Sequence, residues 1–405
     1  MRLASLALIL VVLATPMAAQ HAVTLRLGRA LDGRGGVLSD VVLVVRDGRI
    51  VAIRAAGPAD YDLRALTVMP GGIDTHVHIG WHFDSDGRIH SAPPEEETPA
   101  QALLYAVENA YVTLMAGITT VQSLGAPLDG DLRDGIARGT IPGPRVLSSL
   151  GALFAESGTP ATLRDSVRRL ATDGANVIKI FASASIRDGG GPTMSQEQLD
   201  AACGEARAVG LRSAVHAHGP ESARRAVHAG CTVIEHGALL DAATFALMAE
   251  RGTFYDPHVG LIFENYFENK SRFLGVGNYT EEGFAQMARA VPLALDAFRL
   301  AVARADVRIV FGTDAVAGAH GRNFEELIAR VQRGGQDPMA AIVSATSLAA
   351  ESLDLGAEVG AIAPGMRADL IGLEADPVRD ITALRRVAFV MKEGRIFKYP
   401  LVRVP

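Results

Sequence analysis

Pro70-Gly71-Gly72-Ile73-Asp74-Thr75-His76-Val77-His78 is an apolar strand that ends in two histidines one residue apart. Residues i and i+2 of a strand point to the same face, so His76 and His78 aim their imidazoles at one point, a geometry suited to gripping a metal ion. A lone His-x-His also arises by chance on exposed strands, so its meaning depends on the partners that the rest of the chain supplies. Four further apolar segments each end in a metal-competent side chain: Asn176-Val177-Ile178-Lys179, Ser213-Ala214-Val215-His216, Val233-Ile234-Glu235-His236 and Ile309-Val310-Phe311-Gly312-Thr313-Asp314.

These segments belong to a regular alternation of short apolar strands and helical stretches, the pattern of parallel βα units. Eight strands are predicted, over residues 67–78, 118–124, 145–150, 176–181, 211–216, 232–236, 253–256 and 308–313. Helix signals fill the intervals: Thr98-Pro99 opens one helix, Ser195-Gln196-Glu197-Gln198 reads as a capping box, and Gly210 lies just past an end. The expected architecture is therefore an α/β fold with a (β/α)8 TIM barrel over residues 69–357. In such a barrel the C-terminal strand ends converge on one face, which would bring His76, His78, Lys179, His216, His236 and Asp314 to a single mouth.

On either side the texture changes to short strands and turns. Val41 to Val45 and Ile50 to Ile53 flank Asp47-Gly48, a hairpin signal, and Lys392-Glu393-Gly394-Arg395 is a second turn near the C-terminus. Residues 21–68 and 358–405 are thus expected to form one small composite β-sandwich. Residues 1–20 read as a signal peptide: Arg2, an apolar run from Leu3 to Leu13, then Pro16-Met17-Ala18-Ala19. The apolar run is short for a membrane span, so the mature chain is expected to be secreted or periplasmic, with no membrane association after cleavage.

With 405 residues, 49% of them hydrophobic, the chain can bury a large core. A formal net charge of -6 leaves no electrostatic footprint for nucleic acid or an anionic membrane, so a small-molecule substrate is the expected partner. The sequence leaves a homo-oligomer open. Only two cysteines occur, Cys203 and Cys231; with no disulfide framework to read, they are expected to be unpaired core thiols.

Neutral imidazoles and a carboxylate are good ligands for zinc or a similar divalent ion. Lys179 is the odd member, because an ammonium has no lone pair and is repelled by cations. The ordered set His-x-His, Lys, His, His, Asp on strands one, four, five, six and eight resembles the binuclear amidohydrolase superfamily. The resemblance extends from about residue 22 to 400, since residues 360–370, Gly-Ala-Ile-Ala-Pro-Gly-Met-Arg-Ala-Asp-Leu, are also similar to the strand that returns to the terminal domain. Ala214-Val215-His216-Ala217-His218-Gly219 and Val233-Ile234-Glu235-His236-Gly237 look like the imidazolonepropionase-related and metallo-dipeptidase branch. The resemblance implies two divalent ions, zinc foremost, held by His76, His78, His216, His236 and Asp314, with a CO2-derived carbamate on Lys179 bridging them. It also implies cleavage of an amide-like bond in a dipeptide, N-acyl amino acid or related amide by a metal-bridging hydroxide, with Asp314 as the catalytic proton carrier.

His218, Tyr255, His258 and His320 are expected to touch substrate. Arg187 and Arg322, on the fourth and eighth loops, could clamp a substrate carboxylate, but solvated loop arginines are the expectation for both. Two positions depart from the dipeptidase pattern: Ser157-Gly158-Thr159-Pro160 lacks the histidine common after strand three, and Val121-Gln122-Ser123 stands where many relatives have Val-Arg-Asp. A mononuclear cyclic-imide hydrolase or deaminase is a rival on the same fold, although Gly219 occupies the place of the deaminases' proton-shuttling glutamate. A lactonase or phosphotriesterase would use the same ligands. The rival outside enzymes is a zinc-sequestering protein, which would keep its histidines in exposed loops rather than at buried strand ends.

Overall fold

The computed structural model of the chain describes residues 22–55, 57–91 and 97–400, so the expected signal peptide lies outside the described residues. No helix of the described residues is long and apolar enough to cross a membrane. All eight expected central strands are present: β1 (Gly72–Val77), β2 (Ile118–Ser123), β3 (Arg145–Ser148), β4 (Val177–Phe181), β5 (Arg212–Ala217), β6 (Val233–His236), β7 (Phe254–Pro257) and β8 (Arg308–Ile309). They alternate with helices whose starts carry the signals seen in the sequence. Thr98 and Gln101 form a capping box on α1 (Pro99–Met115), and Ser195 and Gln198 do so on α2 (Gln196–Ala208).

The strands do not close into one hydrogen-bonded ring, as the sequence led us to expect. They form two parallel sheets, β3-β2-β1 and a six-stranded one that runs from the two-residue strand Ala152–Leu153 through β4 to β8. Two causes are local. Ala152–Leu153 takes the place beside β4, and β8 stops after two residues because the chain leaves regular pairing before Asp314, whose φ is 54°. Isolated backbone bonds bridge both seams: Asn176 donates to Ser148 O at 2.8 Å, and Thr75 donates to Phe311 O at 2.9 Å.

The terminal segments also differ from expectation. Instead of two stacked sheets they make one eight-stranded sheet, because Thr67–Pro70 pairs with Val23–Leu31 on one side and with Leu370–Leu373 on the other. That sheet has its own apolar cluster, including Leu25, Leu43, Val68 and Phe389.

Within the six-stranded sheet, side-chain alternation sets the depth of each group. Val177, Ala214, Val233, Phe254 and Val310 make one apolar layer. Two residues further on, and so on the same face, come Lys179, His216, Glu235, Asp256 and Gly312. Gly312 is required there, since a side chain at that position would run into the Asp256 carboxylate.

Cys203 and Cys231, expected to be free, are joined in a disulfide. The cause is packing rather than spacing: α2 lies over the entry to β6 and brings the two Cα atoms within 5.2 Å, well inside bridging range. The bond closes a sequence separation of 28, which by loop-closure entropy contributes about 3–4 kcal/mol. Cys203→Ser should therefore unfold at clearly lower urea concentration than the oxidised wild type, and reduction of the wild type should lower its midpoint likewise. Identical midpoints would mean that the crosslink adds nothing.

Candidate metal centre

The six residues singled out at strand ends meet in one cavity, together with His218, His258, Trp81 and Arg187. His76 is completely buried, and its Nδ1 faces Glu235 Oε2 at 2.8 Å. A carboxylate accepts, so Nδ1 carries the proton and the Nε2 lone pair turns inward. That lone pair lies 3.4 Å from Asp314 Oδ1 and 3.4 Å from Lys179 Nζ, and His78 Nε2 lies 3.1 Å from the same Asp314 oxygen. On the other side the His216 and His236 rings are 4.5 Å apart, and His218 completes a group with them.

Backbone strain helps to bring these groups together. Strict alternation would turn His236 away from the layer that holds Lys179 and His216, because Glu235 already occupies it. His236 instead adopts φ 68° and swings inward, while Asp314, also left-handed, is held by its N–H on His76 O at 2.8 Å.

Burial sets the charge states. It pushes His76, His216 and His236 well below the ordinary histidine range, with neighbouring cations and imidazoles adding to the effect, so all three are neutral. His218 is brought down to about 3, first by burial and then by Arg187. Burial also lowers Lys179, against the pull of Glu235 and Asp314. Asp314 is raised by burial, but the hydrogen bond and charge of His78 outweigh this and hold it below the usual carboxylate range. The donor set fits divalent cations: neutral imidazoles and an ionised carboxylate converge lone pair to lone pair, an arrangement that a cation relieves. His76, His78 and Asp314 can hold one ion, and His216, His218 and His236 another, with His258 able to join His76 and His236.

His258 lies beneath these ligands, with Nδ1 2.8 Å from His236 Nδ1 and Nε2 3.6 Å from Asp256 Oδ1. Tyr255 does not reach the cavity. It has the opposite parity to Phe254 and Asp256 on β7, packs on Phe245, and directs its hydroxyl to the carbonyls of His236 and Gly237. His320 is likewise not among the cavity walls and faces Trp81 O at 3.2 Å. Arg322 is paired with Glu268 at 2.7 Å outside the cavity, whereas Arg187 lines it.

Several supporting groups were not singled out from the sequence. Glu235 and Asp256 share the layer of Lys179 and His216, and period-two counting from Val233 and Phe254 would have found them. Burial and the neighbouring Asp256 push Glu235 well above its ordinary range. Asp256 is also raised by burial, yet His258, Arg330 and Thr75 bring it below its ordinary value. Arg330, wholly buried on α3 (Phe324–Gln332), bonds the carbonyls of Val310, Pro257 and Gly312. Its neighbour Glu326 accepts from the backbone N–H groups of Val259, Gly260 and Leu261. This pair fixes the ends of β7 and β8.

Asp74 performs the same service for β1. One carboxylate oxygen accepts from the His76 and Thr313 backbone N–H groups, each at 3.1 Å, and the other from Thr313 Oγ1 and Asn323 Nδ2. Burial drives its pKa up to about 7 in spite of these four donors. Removing the carboxylate strands buried donors at about 1–3 kcal/mol each. Asp74→Ala is expected to lower the thermal midpoint and to reduce metal retention, since His76 and Thr313, the residue just before Asp314, lose their common tether. A variant matching wild type in both would show that the tether is dispensable.

A family model described as the amidohydrolase family matches residues 67–397. Ochratoxinase from Aspergillus niger is 29% identical over 425 residues, spanning 92% of this chain and 86% of the relative. Among solved structures, a Xaa-Pro dipeptidase with bound methionine in the active site superposes with a TM-score of 0.83 at 31% identity, covering 93% of this chain and 100% of the other. The A. niger ochratoxinase structure gives 0.80 at 25% identity, with 94% and 96% covered.

Proposed function

Because the chain belongs to the amidohydrolase family and is a hydrolase of carbon–nitrogen bonds, we propose that it is an exported binuclear enzyme that cleaves the amide of an N-acyl amino acid or dipeptide with a free carboxylate. The ions, for which zinc suits the donors, would be held by His76, His78, His216, His236 and Asp314, with a carbamate on Lys179 as a further anionic ligand. When bound, they supply Lewis-acid polarisation of the scissile carbonyl and acidify the attacking water.

The chain's own groups account for the rest. Burial favours the neutral Lys179 amine, the form that attacks CO2 and sheds a proton to become a carbamate. Asp314, kept ionised beside His78, takes the proton of the attacking water and returns it to the leaving nitrogen. Glu235 holds the His76 ring in one tautomer through Nδ1.

Arg187 is the observation that carries the substrate class. Its guanidinium lies 3.9 Å from the Tyr279 ring centroid, is tied to Asn278 Oδ1 at 2.8 Å, and stands in a cavity whose other walls include Phe181, Ile262 and Phe263. A fixed cation among aromatic and apolar walls suits an amino acid carboxylate with an apolar body. The Xaa-Pro dipeptidase among its structural relatives fits this class. The Cys203–Cys231 disulfide supports export, since such bonds persist in oxidising compartments.

Arg187→Met should raise KM for an N-acyl amino acid by on the order of 10- to 100-fold, the loss of one charge-assisted contact of about 1.5–3 kcal/mol. The methyl ester of the same compound should be affected little. Equal effects on acid and ester would remove the carboxylate anchor. For the metal ligand set, Lys179→Ala is expected to fold, to lose activity by at least on the order of 10²-fold, and to regain part of it with added short-chain carboxylic acid. Full activity without additive would exclude the carbamate.

A further inference from the structure

The loop after β1 contains a second group of ligand-type side chains, separate from the centre described above. His82 and His90 sit on a short antiparallel hairpin, His82–Phe83 with Ile89–His90, and Glu97 immediately precedes Thr98, the N-cap of α1. The two imidazoles are stacked, 5.2 Å apart and 7° from parallel, and His82 also stacks on Tyr105 at 4.0 Å. All three side chains are buried or nearly so.

Hydrogen bonds on the far side of each ring fix its tautomer. His82 Nδ1 donates to Gly80 O at 2.9 Å, which leaves a lone pair on Nε2, and that lone pair faces Glu97 Oε1 at 3.0 Å. His90 Nε2 donates to the Asp84 carboxylate at 2.8 Å, which leaves a lone pair on Nδ1, 3.7 Å from Glu97 Oε2. Glu97 Oε2 is itself buried with no hydrogen-bond partner among the described residues. Two nitrogen lone pairs and a carboxylate thus confront one another. A proton between His82 and Glu97 would relieve one of these contacts and leave the other unmade. A divalent ion relieves all of them at once. The separations agree with this, because ligands about 2.0 Å from a tetrahedral ion lie roughly 3.3 Å from one another, between the two values observed.

We propose that His82, His90 and Glu97 form a divalent-cation site distinct from the hydrolytic centre. Two imidazole nitrogens and one carboxylate oxygen select a zinc-like ion over calcium or magnesium, which take oxygen ligands. Gly80 O and Asp84 are the outer partners that orient the rings. The ion would join the hairpin to the start of α1. It would thereby fix Trp81, the residue just before the hairpin, whose ring lies 5.0 Å from that of His78 at the hydrolytic centre. The site is a positioning device for that wall and takes no part in bond cleavage.

The test compares the zinc content of the full chain with those of His90→Gln and Glu97→Gln. Each protein is stripped with chelator, reloaded with zinc and freed of excess by gel filtration. Both variants should hold one ion per chain fewer than wild type. The difference does not depend on how many ions the hydrolytic centre takes, so a failure of the binuclear reading shifts all three totals together and leaves the difference at one. Glu97→Gln preserves side-chain shape, and matching circular dichroism with wild type establishes that its loss of metal is local. An unchanged ion count in a folded variant overturns the site and leaves the cluster as a hydrogen-bonded histidine–carboxylate pair.

Discussion

The Asp74 carboxylate is the constraint on which the candidate centre depends. It lies where the end of β1 meets the irregular chain after β8, the seam at which the two parallel sheets fail to pair as a ladder. By accepting from His76 and Thr313 with the same oxygen, it sets the height of one histidine against the residue just before Asp314. The Arg330 and Glu326 pair does comparable work at the ends of β7 and β8. The ligand residues therefore rest on buried charges that bind main chain, and at the seam between β1 and the chain after β8 the Asp74 side chain adds to the isolated backbone hydrogen bonds.

That arrangement uses low dielectric in two opposed ways. Histidines far from water are kept neutral, which is the form that offers a lone pair, and Lys179 is inclined to lose its proton. Asp314 is slightly more open to solvent, and its contacts with His78 hold it ionised. A cavity that keeps bases neutral and one acid charged has a net deficit of positive charge at its floor, and that deficit is the electrostatic case for bound cations.

Much of this was legible in the chain. Eight strands, their order, and the convergence of His76, His78, Lys179, His216, His236 and Asp314 follow from apolar periodicity and the rule that parallel strands end on one face. What escaped did so for physical reasons. Strand parity assigns Glu235 rather than His236 to the inward layer, and only the left-handed backbone at His236 reverses this. The same parity turns Tyr255 outward. Whether the terminal strands stack or extend one sheet depends on edge pairing between segments about three hundred residues apart. The disulfide depends on how α2 lies over β6, which no spacing of two cysteines encodes.

Trp81 has a practical importance beyond its place in the wall. It is the single tryptophan of the chain, so its emission is uncontaminated by any other indole. Its ring is tilted 34° against His78, and its carbonyl is held by Asn109 Nδ2 at 3.0 Å. The fluorophore is thus anchored at the lip of the cavity, where its spectrum and lifetime respond to whatever occupies the space beside His78. The protein carries its own optical gauge of occupancy, readable without a label.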